Sequence, residues 1–119
     1  SFEKLLKQPI GRLLFREFLE TEFSEENLEF WLAVEEYEKT EDPDKRPDKA
    51  REIYDEFISP EAPKPEVNLD SELREHTQDN LLKAPTKDLF EEAQREIYDL
   101  MRGDSFPRFL ESDYFTRFL

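Results

Sequence analysis

The most strongly patterned stretch of the chain is residues 23–37, where apolar residues occur on more than one face of a helix. Leu28, Trp31 and Leu32 are spaced i, i+3 and i+4, which predicts one buried stripe. A second apolar stripe lies beside it and consists of Phe30, Ala33, Val34 and Tyr37. A helix with two apolar faces is expected to pack against several others. We therefore place this helix at the centre of the fold.

The start of the central helix carries residue types that commonly begin helices. Ser24 is expected to be the N-cap, with its hydroxyl accepting a hydrogen bond from an N–H of the first turn. Glu25 and Glu26 follow, where carboxylates face the positive end of the helix dipole. The polar residues 24–27 are expected to emerge at one end of the core, where a partner could reach them.

Helical spacing also recurs on both sides of the central helix. Ser1 is expected to cap a short first helix, and Pro9 to begin a second that ends at about Glu20. Pro47 is expected at the first position of the helix after the central one. The apolar residues of that helix follow at helical spacing, namely Ala50, Ile53, Tyr54, Phe57 and Ile58.

A loop of about ten residues is predicted in the middle of the chain. Three prolines interrupt the helical spacing there, Pro60, Pro63 and Pro65. Loops of this length in a compact helical domain tend to be functional or disordered. Asp70 or Ser71 is expected to cap the helix that follows the loop.

The last third of the chain predicts three more helices. Thr86 is expected to cap the first, which runs to about Arg102. Gly103 suits the left-handed position just after the end of that helix. Asp104 is expected to cap a short helix, and Ser112 is expected to cap the last helix. No run of β-branched residues indicates a strand, so the predicted fold is all-α with about nine short helices.

Composition agrees with a single helical domain. A chain of 119 residues is long enough for one core, which buries about two thirds of the surface that the unfolded chain exposes. Eleven Phe, four Tyr and one Trp supply large core side chains. Because 40% of the residues are charged, the apolar positions must be confined to narrow stripes, as in amphipathic helices.

The formal charge of −14 excludes several partners. Nucleic acid is excluded because phosphates need clustered Lys or Arg, and direct membrane insertion is not expected because no long apolar run occurs. The absence of Cys excludes disulfides and thiolate metal sites and is compatible with the cytosol. The chain does not begin with Met, so we expect a domain of a longer protein.

Familiar enzyme and metal sites are also missing from the sequence. His76 is the only histidine, so the usual hydrolase triads cannot be assembled. A di-iron carboxylate site would need Glu-x-x-His elements, and Leu73 stands three residues before His76. No calcium-loop spacing occurs either. We expect no catalytic residue, no metal and no cofactor.

Four segments, in order, resemble the RGS (regulator of G-protein signalling) domains. They are FSEENLEFWLAVEEY at 23–37, EVNLDS at 66–71, FEEAQREIYDLM at 90–101 and DSFPRFLESDYF at 104–115. The segment GRLLFREFL at 11–19 is also similar to the family. Together these segments cover nearly the whole chain, and their residue types, order and spacing agree with the family.

The resemblance implies more than the residues alone show. It implies an antiparallel bundle of the middle helices, about 24–102, and a subdomain formed by residues 1–22 and 104–119. It implies a monomer that binds the switch regions of a Gα subunit, in its GTP-bound or transition-state form, and accelerates GTP hydrolysis without a catalytic side chain of its own. The expected location is the cytoplasm, at the inner face of the plasma membrane through the partner.

The resemblance also implies a Gα-binding surface made of three groups of residues. They are Phe23, Ser24, Glu26 and Asn27; Glu66, Asn68 and Ser71; and Leu100, Asp104, Ser105 and Arg108. Asn68 matches the family residue that approaches the water-orienting glutamine of Gα. Asp104 and Arg108 are spaced i, i+4, so they are expected to form a surface pair that fixes Arg108.

Two departures from common family members and one alternative accompany this interpretation. Phe23 stands where many members have Tyr, and the acidic composition lacks the basic residues that some relatives use on anionic lipid. A natural and an engineered or consensus-like origin are both compatible with such a charged, Cys-free chain. The alternative function is an RGS-like scaffold that binds a partner without accelerating hydrolysis. Retention of the contact residues favours the activator.

Overall fold

A computed structural model describes residues 1–62, 67–83 and 85–118 of the chain. The eight α-helices are α1 Phe2–Lys7, α2 Pro9–Thr21, α3 Glu25–Glu38, α4 Arg46–Ile53, α5 Ser71–Leu81, α6 Glu91–Leu100, α7 Phe106–Leu110 and α8 Asp113–Phe118. A first π-helical turn, Tyr54–Ile58, extends α4, and a second, Met101–Ser105, joins α6 to α7. None of the described residues forms a β-strand, and the predicted all-α fold is confirmed. None of these helices has the length and apolar character that crossing a bilayer requires.

Several helix starts lie where side-chain chemistry predicts them. Ser1 and Asp70 accept hydrogen bonds from N–H groups of the first turns of α1 and α5, at 3.3 Å and 2.8 Å. Pro9 opens α2, as expected. Pro47 is the second residue of α4 rather than the first, because the helix already begins at Arg46.

The predicted start of α6 at Thr86 is wrong. A turn over residues 87–90 comes first, and α6 begins at Glu91. The Thr86 hydroxyl donates to the Asp88 carboxylate instead of capping a helix. The Thr86 carbonyl accepts a 2.7 Å hydrogen bond from the Tyr37 hydroxyl. Both bonds hold Thr86 in the turn against α3.

The predicted helix end at Gly103 is also wrong. Gly103 lies inside the second π-helical turn and has no left-handed backbone. The chain stays helical from α6 to α7 because Met101 and Ser105 of this turn are both buried against the core. Asp104, inside the same continuous run, therefore does not cap α7.

Aromatic rings in the core form two groups. The first packs α3 against the turn before α6 and the first π-helical turn, with ring centroids 5.2 to 6.4 Å apart, and consists of Phe30, Tyr37, Phe57 and Phe90. The second packs the terminal helices, with centroids 5.3 to 6.2 Å apart, and includes Phe2, Phe15, Phe18, Phe109 and Tyr114. Tyr98 contacts Phe2 and Trp31 between them. The division of the chain into two subdomains stays a prediction.

The central helix is buried on fewer sides than its sequence suggests. α3 packs against α2, α4 and α6, and Leu28, Phe30 and Val34 are fully buried. Trp31 is only partly buried and lines an open groove with Tyr98. The predicted burial of Trp31 is therefore only partly correct, because its ring packs against the core and Tyr98 on one side and faces the groove on the other.

Candidate functional site

The link between α2 and α3 is a left-handed turn centred on Phe23. The N–H of Ser24 donates to the carbonyl of Leu19 at 3.0 Å, and the N–H of Phe23 donates to the carbonyl of Glu20 at 3.2 Å. This pair of bonds defines the Schellman motif, whose left-handed residue is usually Gly. Phe23 has φ 56°, the one positive value of a non-glycine residue in the described part of the chain, and it is 84% exposed. Strained, exposed residues cluster at ligand sites.

A prediction about stability follows from this backbone. A side chain in the left-handed region costs about 1–2 kcal/mol, and Phe23 removes little apolar area from water. Phe23→Gly is therefore expected to be about 1 kcal/mol more stable than Phe23→Ala, although glycine usually destabilises. Urea denaturation of the two variants measures the difference. If Phe23→Gly is less stable than Phe23→Ala, the backbone at position 23 is not strained.

The first turn of α3 holds polar atoms without partners. Ser24 occupies the N-cap position, but the predicted side-chain cap is wrong, because its ψ of 22° departs from the extended backbone that such caps use. The Ser24 hydroxyl oxygen and the Asn27 Oδ1 are buried with no hydrogen-bond partner. Asn27 and Glu26 are 6% and 9% exposed. Unsatisfied buried polar atoms are uncommon in folded proteins, so these two oxygens single out the turn as part of the candidate site.

Arg108 connects the first and third predicted groups. Its Nε and Nη2 donate to the two carboxylate oxygens of Glu22, both at 2.8 Å, and its Nη1 donates to Asp104 at 2.5 Å. The predicted pairing with Asp104 is confirmed. The hydrogen bonds that Arg108 donates to Glu22 first, and to Asp104 second, raise the pKa of Arg108. Since Glu22 directly precedes Phe23, the guanidinium is held beside the left-handed turn.

Sequence reasoning missed Glu22 as part of this site. Glu22 is the C-cap of α2, where a carboxylate meets the negative end of the helix dipole. An acid at that position is unfavourable unless a cation lies beside it. Arg108, which is 86 residues later in the sequence, supplies that cation. The acidic residue at a helix C-terminus was a signal that a cation lies nearby, but nothing in the sequence identifies that cation as Arg108.

Asn68 of the second group is presented by two buried neighbours. Val67 is fully buried and Leu69 is 8% exposed, whereas Asn68 is exposed. The N–H of Leu69 donates to the carbonyl of Val67 at 3.0 Å, which makes a three-residue turn with Asn68 at its centre. This turn directs the Asn68 backbone away from the core. Ser71 is exposed at the start of α5, and Glu66 lies outside the described residues.

The second group is tied to the helix that ends in the third. The N–H of Asp70 donates to Glu96 Oε1 at 3.0 Å, and Glu96 precedes Leu100 by one turn of α6. Leu100 is partly buried and Asp104 is exposed. Ser105 is 3% exposed, so it supports this surface from beneath. The Arg108–Glu22 bonds thus join the first group to the third, and the Asp70–Glu96 bond joins the second group to α6.

A family model, the regulator of G protein signaling domain, matches residues 1–118. The chain belongs to this family. The RGS chain is 49% identical to regulator of G-protein signaling 5 of Sus scrofa, 51% to regulator of G-protein signaling 1 of Homo sapiens and 47% to regulator of G-protein signaling 5 of Mus musculus. Each match covers all 119 residues, and 65%, 56% and 65% of the relatives respectively. The RGS chain therefore spans between about half and two thirds of these curated relatives.

Proposed function

We propose that this RGS domain binds the switch regions of a Gα subunit and accelerates GTP hydrolysis by that subunit. In this proposal the domain supplies no catalytic side chain and is not itself an enzyme. Gα already carries an arginine in cis and a glutamine that orients the attacking water. If the domain stabilises the reactive arrangement of these two side chains by about 2–4 kcal/mol, hydrolysis becomes about thirty- to a thousandfold faster.

The observation that carries the proposal is that the candidate contact residues are fixed before any partner arrives. Arg108 is held by three hydrogen bonds to two carboxylates. Phe23 is held by the paired bonds of a helix-ending turn, and Asn68 by a three-residue turn between buried neighbours. A surface that is ordered in advance loses less entropy on binding and discriminates better between two states of a partner.

Each group has a distinct role in the proposed complex. The exposed ring of Phe23 supplies apolar contact area. The Ser24 hydroxyl donates or accepts, and the Asn27 Oδ1 accepts, a hydrogen bond that each oxygen lacks in the free domain. Asn68 approaches the water-orienting glutamine of Gα. Arg108, already paired, offers its rigid guanidinium edge.

The proposed domain acts as a monomer in the cytoplasm, at the inner face of the plasma membrane through its partner. Its preferred form of Gα is the GTP-bound or transition-state form. A ligand can shift an equilibrium only by its differential affinity for the two states, so this preference is what produces the acceleration.

Titration of two forms of Gα tests the proposal. We expect tighter binding to Gα with GDP and a planar γ-phosphate mimic than to Gα with GDP alone, by about tenfold or more. Calorimetry at matched ionic strength measures both affinities. Equal affinities would rule out activation by state-selective binding and would favour the RGS-like scaffold.

A further inference from the structure

Arg74, in the first half of α5, connects three parts of the backbone around Asn68. Its Nη1 donates to the carbonyl of Ile58, and its Nη2 donates to the carbonyl of Val67 at 2.7 Å. Its backbone N–H donates to the carbonyl of Asp70 at 2.9 Å. The bond to Asp70 belongs to the first turn of α5, whereas the two guanidinium bonds tie that helix to the end of the first π-helical turn and to the residue immediately before Asn68.

The two carbonyls that the guanidinium reaches lie in the protein interior. Ile58, at the end of the first π-helical turn, and Val67 are both fully buried. Val67 also donates its N–H to the carbonyl of Phe57 at 3.0 Å. Buried carbonyls need donors, and the planar guanidinium supplies two in fixed geometry, which the single ammonium of Lys cannot reproduce.

We propose that Arg74 is a positioning residue for the activation of Gα, because it fixes the backbone that presents Asn68. This inference rests on the proposed function. Arg74 is only partly exposed, and both of its guanidinium bonds to carbonyl oxygens are with the backbone of the domain itself. It acts through Asn68, so its effect depends on the Asn68 side chain being present.

Hydrogen exchange tests the structural half of this inference without any partner. In Arg74→Lys, the amides of Val67 and Leu69 are expected to exchange about tenfold faster or more, because one of the two carbonyl bonds is lost. Arg51→Lys is the matched control, since Arg51 is exposed and pairs only with Asp55 at 3.4 Å among the bonds described here. Unchanged exchange at both amides would overturn the inference.

A double-mutant cycle tests the functional half. In single-turnover hydrolysis by Gα, Arg74→Lys is expected to reduce the acceleration about tenfold in the parent domain. In an Asn68→Ala background the same change is expected to reduce it by less than about twofold. If Arg74→Lys reduces the acceleration as much in the Asn68→Ala background as in the parent, Arg74 acts independently of Asn68, and the inference is overturned.

Two further outcomes are also decisive. Where Arg74→Lys does not fold, Arg74→Gln replaces it in both experiments, since its amide retains N–H donors. A parent domain that does not accelerate hydrolysis overturns the proposed function and the role of Arg74 in it. The exchange experiment then still decides whether Arg74 orders the backbone at Asn68.

Discussion

Replacing Asn68 with Ala is expected to reduce the acceleration of GTP hydrolysis about five- to a hundredfold, through the loss of one or two hydrogen bonds to Gα. The complex with Gα should weaken in parallel, because in this mechanism rate comes only from tighter binding of the reactive state. Folding should be nearly unchanged, since Asn68 is exposed and contributes no core contact. Single-turnover rates and melting curves of the same preparations measure both quantities.

Glu41→Ala and Asp42→Ala are the controls for this variant. Both side chains are exposed and lie in the polar turn after α3, where Glu41 forms a 3.6 Å surface pair with Lys87 and Asp42 accepts a local 2.9 Å bond from the N–H of Asp44. Such pairs contribute little, so both controls should accelerate hydrolysis like the parent. Full acceleration by Asn68→Ala would show that the role carried over from the family fails at its most informative position.

Phe30→Ala is expected to have the largest effect on stability, about 3–5 kcal/mol. Phe30 is fully buried on α3, with its ring 5.7 Å from that of Phe57 and 6.4 Å from that of Phe90. Truncation removes transfer free energy and leaves a cavity where three elements meet. The loss approaches the whole stability of a small domain.

Trp31→Ala is the matched comparison, because it removes a larger ring one residue along the same helix. Trp31 is partly exposed at the groove, so its truncation should cost less than that of Phe30. Urea denaturation with a shared slope gives both differences. A larger loss for Trp31→Ala would contradict the burial pattern of α3 and would instead agree with the fully buried stripe that the spacing of Leu28, Trp31 and Leu32 predicts.

Much of the fold could be predicted from local chemistry. Helical spacing located the central helix and its neighbours, and short-range bonds to the backbone explain why the Ser1 and Asp70 caps were correct. The π-helical turns could not be predicted, because they depend on how buried residues on either side meet the core. Gly103 illustrates this, since its sequence context is that of a helix end, but burial of Met101 and Ser105 on either side keeps the chain helical there.

The candidate site was predictable only in part, for a related reason. The resemblance named residues on the surface, but not the side chains that hold them. Glu22 and Arg108 are 86 residues apart, and Arg74 reaches back 16 residues to Ile58. Local spacing carries no information about such contacts, whereas the strain at Phe23 and the C-cap acid at Glu22 become interpretable once the turn is known.

The central claim is that this domain accelerates GTP hydrolysis by Gα. Single-turnover hydrolysis by purified Gα of the inhibitory class, preloaded with GTP and measured with and without the domain, tests it most directly. The account predicts a rate about thirty- to a thousandfold higher with saturating domain, and Asn68→Ala in the same assay provides the internal comparison. An unchanged rate, with binding to Gα intact, would contradict the account and identify a scaffold.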